Sequence, residues 1–151
     1  MDEAINRYHT AKGYFQSTIM IFKSPERNSS QRELLTLLSM SLLVGFALEL
    51  YFKAWLLACG RPSEEVKGLG HRLADLYVEA KGEALFADTL LDELVDAVSK
   101  GHQDFTFRYI EDGDQVRLIN WSAALQRLDA LDTEIDAKVG ASGSYGLKPG
   151  H

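Results

Sequence analysis

Cysteine is nearly absent from this chain. Cys59 is the only one in 151 residues, which excludes an internal disulfide or a cysteine-based zinc cluster and suits a reducing compartment. Basic charge is also short. Lys and Arg number 16 against 22 Asp and Glu, and the formal net charge of −6 argues against an indiscriminate nucleic-acid coat or an anionic membrane surface, while leaving room for a local basic pocket. A secretory signal is missing: MDEAINRYHT carries charges of both signs where a basic start and an apolar block are required, so a cytoplasmic location is expected. No uncharged apolar run reaches the ~20 residues that span a bilayer, because Leu34 to Leu48 falls short and Glu49 and Lys53 interrupt its extension. His9, His71, His102 and His151 show no metal-ligand spacing, and neither a metal nor a cofactor is expected.

What is present fits one globular domain: 46% hydrophobic and 25% charged residues can build a proper core. The rest of the chain is organised around Glu33 to Cys59, ELLTLLSMSLLVGFALELYFKAWLLAC, read as a buried core helix. At about 100° per residue, Glu49 and Lys53 project among Leu35, Leu38, Leu42, Phe46 and Leu56, on the apolar side of that helix. Charges there cost several kcal/mol each unless paired and further hydrogen-bonded, so partners are expected from elsewhere, with His71 and Arg108 as candidates.

Ile5, Tyr8, Ala11, Phe15, Ile19 and Phe22 form one apolar face of a helix from about Asp2 to Lys23. Pro25 and a polar cluster follow, with Ser29 or Ser30 placed to cap the central helix. Gly60 stops that helix, and Pro62, Gly68 and Gly70 predict an irregular linker up to His71. A third amphipathic segment carries Leu73, Leu76 and Tyr77; after Gly82 a fourth repeats Leu85, Phe86, Leu90, Leu94, Val95 and Val98 until Gly101. Phe105, Phe107 and Tyr109 alternate with polar residues ahead of a turn, which predicts a small β-hairpin or extended loop around 105–119. Asn120 or Ser122 can cap a last helix bearing Leu125, Leu128, Leu131 and Ile135 up to about Lys138. The expected fold is all-α, an up-and-down antiparallel bundle of four to five helices over 1–138, with 139–151 as a flexible tail.

The segment FALELYFKAWLLACG from Phe46 to Gly60, then GHRLADL from Gly70 to Leu76, then Phe107, Arg108 and Tyr109, together resemble the HEPN superfamily (higher eukaryote and prokaryote nucleotide-binding). The likeness is to the bacterial branch with an LELxLKAxL helix and a downstream GHxL motif, some members of which are linked to abortive infection. It covers Leu34 to Tyr109 by motif and the whole chain by helix order. The resemblance implies a bundle of four or five helices, frequently a two-fold dimer, and work in defence, toxin–antitoxin or RNA-processing systems. Catalytic members cut RNA with an arginine followed four to six residues later by a histidine. That spacing is absent here, since Arg7 stands two residues from His9 and Arg61 ten from His71.

Each candidate has a plainer alternative. Glu49 and Lys53 can be an ordinary i, i+4 surface pair. His71 can simply begin a helix or pair with Asp75; in the sharper version the Glu49 carboxylate sits on one imidazole nitrogen or on Lys53 and leaves a second donor facing a cleft. Arg108 can clamp a phosphate with Tyr109 stacking a base, or lie packed along its own stem. His9 and His102 are expected at the surface, Trp55 and Trp121 in the core or at a subunit contact, and Asp88, Asp92, Glu93 and Asp96 on a solvated face. Three functions follow. The first is a binding module for a nucleotide, an RNA end or a cognate partner protein, using Glu49, Lys53, His71, Arg108 and Tyr109. The second is a ribonuclease with His71 as acid–base and Arg108 or Lys53 steadying phosphate. The third is a structural dimer. A homodimer is expected in any case, because Tyr51 and Trp55 lie opposite Leu35, Leu42 and Phe46, and a helix apolar all round must be enclosed.

Overall fold

Apolar periodicity decides the architecture, and a computed structural model describes it for residues 2–29, 32–104, 111, 113, 117–141 and 148–150. Six α-helices lie among the described residues: α1 (Asp2–Lys23), α2 (Glu33–Ala58), α3 (Ser63–Gly68), α4 (Leu73–Gly82), α5 (Thr89–Gln103) and α6 (Trp121–Val139). No strand lies among them. The all-α bundle is therefore as expected, while most of the 105–119 hairpin lies outside the described residues.

α1 buries Ala4, Tyr8, Ala11 and Phe15, with acidic residues in its first turn and Lys23 in its last, where the helix dipole favours each. The start of α2 corrects the expected cap. Arg32 holds the N-cap position without a side-chain bond, because the Ser29 hydroxyl donates to the Glu26 carbonyl (2.9 Å) of the 3₁₀ turn Pro25–Asn28. The linker after Gly60 is less irregular than its glycines suggest: Glu64 and Glu65 open the short α3, and Val66 anchors it in the core.

α5 begins later than Leu85 and runs past Gly101. Asp88 caps it by accepting from the Leu91 amide (2.9 Å), and its carboxylate also takes the Arg127 guanidinium of α6 (3.0 Å). Asp92 accepts from the Tyr77 hydroxyl (2.7 Å), and Asp96 pairs with Arg117. Of the acidic face expected to be solvated, Asp92, Glu93 and Asp96 are exposed and Asp88 is half-buried. Asn120 caps α6 through the Ala123 amide (3.2 Å), as its position predicted. The tail does return to the bundle: Ala141 and Gly150 are buried, although 142–147 and 151 lie outside the described residues.

α2 is the axis. It touches all five other helices, and Met40, Val44, Ala47, Leu48, Tyr51, Phe52, Ala54, Trp55 and Leu56 on it are buried. By length and composition it could cross a membrane, yet here 50% of its most apolar window is buried inside the bundle. α1 runs antiparallel to it, as the Tyr8–Tyr51 and Tyr14–Phe46 ring pairs show. α3 carries the chain back, so α4 runs parallel to α2, with Phe52 stacked on Tyr77 and Trp55 donating to the Glu83 carbonyl. Trp55 and Trp121 are core residues, as expected. The N-terminal part of α2 is uncovered instead: Leu34 and Leu35 are 61% and 63% exposed.

Candidate functional site

Glu49 lies on the buried side of α2, only 3% exposed, and three side chains from three elements donate to it. Lys53, one turn on, gives its Nζ to Oε1 (2.7 Å). His71 precedes α4, where Gly70 takes a positive φ of 60° that a residue with a Cβ would resist, and its Nδ1 reaches Oε2 (3.0 Å) and Oε1 (3.1 Å). His102, in the last turn of α5, puts Nε2 2.6 Å from Oε2. An ionised carboxylate only accepts, so the ring nitrogens facing it carry the protons. Burial pushes the Glu49 carboxyl up, but the hydrogen bonds from His102, Lys53 and His71 outweigh it and bring it down to about 2.

The site is closed on one side and open on the other. His102 is 4% exposed, edge-on to Phe46 (4.9 Å between centroids), and its Nδ1 has no hydrogen-bond partner among the described residues. A Cβ on Gly45 would stand 2.6 Å from that Nδ1, so the glycine is what lets the ring approach α2. The His71 side chain, in contrast, is 58% exposed. With Nδ1 engaged, its Nε2 is left for a ligand. One donor atom each from Glu49, His71 and His102 lies within 4.8 Å of the others, the grouping from which a metal ion could be held.

The fold thus brings together Glu49, Lys53 and His71. Arg108 and Tyr109 lie outside the described residues. Asp75 is not the partner of His71; it pairs with Arg72 (3.3 Å). The expectation of a surface His102 is corrected. With α5 running past Gly101, His102 falls four residues after Val98 and seven after Val95, on the buried stripe; that periodicity was the available signal. His9 is half-buried.

A second polar network joins α1, α2 and α6. Lys12, 1% exposed, donates to Asp132 Oδ2 (2.7 Å) and to the carbonyls of Lys148 (2.6 Å) and Gly150 (2.6 Å). Tyr51 donates to Asp132 Oδ1 (2.6 Å), the Gly150 amide to Oδ2 (2.8 Å), and Tyr8 to Asp136 (2.8 Å). Burial, and then the neighbouring carboxylates, push both tyrosine hydroxyls well above their ordinary range. Compared with family models, curated proteins and solved structures, the chain matches none.

Proposed function

We propose that this chain is a HEPN-like binding module that receives a nucleotide or RNA end at His71 and works as a cytoplasmic homodimer in a bacterial defence or toxin–antitoxin system. The observation that supports it is one buried carboxylate, Glu49, fixing three cationic or donor groups of which only His71 is largely open to solvent. A pair that served packing alone gains nothing from holding an exposed imidazole at its rim. An oriented imidazole loses little entropy when a phosphate oxygen reaches its Nε2. Fluorescence anisotropy with labelled oligoribonucleotides, competed by free nucleotides, tests the reading. Wild type should bind, and His71→Ala should bind roughly tenfold more weakly, the equivalent of one charge-assisted hydrogen bond. Equal binding by both, or none by wild type, would remove it.

The same geometry favours a second reading, a ribonuclease, because a carboxylate-held histidine is what acid–base chemistry requires. RNA cleavage abolished by His71→Ala would establish it over the binding module. The dimer rests on apolar surface at one end: Leu34, Leu37, Met40, Leu118, Ile119 and Trp121 line a groove of about 370 Å³, and Leu118 is 88% exposed. Light scattering should give twice the chain mass at micromolar concentration, and a monomer mass throughout would mean that this groove is not an interface.

A further inference from the structure

We propose that Glu49, His71 and His102 form a site for a divalent first-row transition ion, with zinc as the representative. The donor set is two imidazole nitrogens and one carboxylate oxygen, three protein ligands with room for a fourth, which is how zinc is held where it must stay accessible. Linear spacing conceals the set. Its members come from α2, from the turn before α4 and from the end of α5, and only the fold brings their ligand atoms within 4.8 Å of one another.

Both rings face the same oxygen, Oε2, at 2.6 and 3.0 Å. Those are proton-sharing distances. An ion 2.0–2.1 Å from each donor needs them roughly 3.3 Å apart at the tetrahedral angle, so loading requires an opening of several tenths of an ångström. His71, exposed and carried on the Gly70 turn, can widen its own 3.0 Å, whereas His102 is wedged against Gly45 and Phe46, so the 2.6 Å contact opens by rotation of the Glu49 carboxylate. Lys53 meanwhile occupies Oε1, the oxygen the ion does not need, and so acts as the outer partner that orients the carboxylate. The buried side of the site is built from Glu49 and His102, and the exposed His71 gives both an entry path and a fourth position for water or a ligand atom.

Two features limit the affinity. Each ring must move its proton to its other nitrogen, which for His71 faces water but for His102 is the buried, unpartnered Nδ1. The Lys53 ammonium also remains close by. The site is therefore an exchangeable one rather than a permanent structural centre.

This inference uses the side chains of the proposed nucleotide site without resting on nucleotide binding, and the two fail separately. Zinc chloride alone, titrated into the full chain against a chromogenic chelator, should show one ion per chain, and cobalt(II) should give the visible bands of a four-coordinate site. His71→Ala should lose more than the roughly 10–100-fold that a missing outer partner costs, while its melting temperature in metal-free buffer falls by no more than about 4 °C. His71→Cys, which returns a ligand atom, should keep the stoichiometry. No stoichiometric uptake by wild type, or equal uptake by His71→Ala, would overturn the proposal. RNA binding that persists in chelator alongside a failed zinc titration would sink the metal site and leave the binding module standing.

Discussion

Asp132 on α6 and Glu49 on α2 are both carboxylates set on apolar helix faces, and each takes a lysine and further donors. Around Asp132 the lysine, both tyrosines and the Gly150 amide are all buried. Around Glu49 the set ends in a histidine with 58% of its side chain in solvent. The first network ties α1, α2, α6 and residue 150 together through groups that nothing outside the protein can reach; its work is done once the chain is folded. The second keeps a nitrogen available. A buried ion pair is weak evidence of net stability by itself, since well-packed apolar residues can often replace it, so the useful distinction is whether the network has an open end.

The largest way to break this comparison is Asp132→Ala. It would strand the Lys12 ammonium in the interior and remove the Tyr51 acceptor, at a cost of about 3–5 kcal/mol, a large share of the ~5–15 kcal/mol that holds a domain of this kind together. Urea denaturation measures it. A double variant, Lys12→Met with Asp132→Leu, should recover much of that loss, because no charge is then left unpaired. A cost under ~1 kcal/mol for the single change would show that the sealed network is loosely held, and the contrast with Glu49 would go.

Much of this was legible in the sequence, and the reasons differ from residue to residue. Glu49 and Lys53 on an apolar face demand partners, with His71 and Arg108 as the candidates; the structure shows the pairing with His71, and Arg108 lies outside the described residues. Lys12 follows the same rule, one turn after Tyr8 on the buried side of α1, but an apolar stripe read from its hydrophobic residues alone passes over it. Asp132 is hidden in the same way, one turn after Leu128. His102, although it continues the periodic stripe, was hidden for another reason. Gly101 looks like a stop, and α5 tolerates it because burying Val98 and His102 against its neighbours outweighs the ~1 kcal/mol that a helical glycine costs. The convergence of His71 and His102 on one oxygen is tertiary information, which no spacing rule contains.

The open network should respond to acid in a way that identifies it. Glu49 has a folded value of about 2 against an ordinary 4.5, a carboxyl depressed by folding. Its contribution is therefore fully present above pH 4.5 and drains away as the pH falls toward about 2, amounting to a few kcal/mol. Asp88, also depressed once the Leu91 amide and Arg127 outweigh its burial, adds to the same descent, so the Glu49 share is isolated by comparing wild type with Glu49→Gln, whose side chain does not titrate. The smallest effect belongs to His71→Ala. At neutral pH it removes one partly solvated hydrogen bond and should cost less than ~1 kcal/mol, because Lys53 and His102 still donate to Glu49. In acid it should move the onset of unfolding upward, since a carboxylate with one donor fewer protonates sooner. A His71→Ala loss at pH 7 as large as that of Asp132→Ala would mean that the exposed histidine is a structural strut, and the open end of the Glu49 network would no longer distinguish it from the closed one.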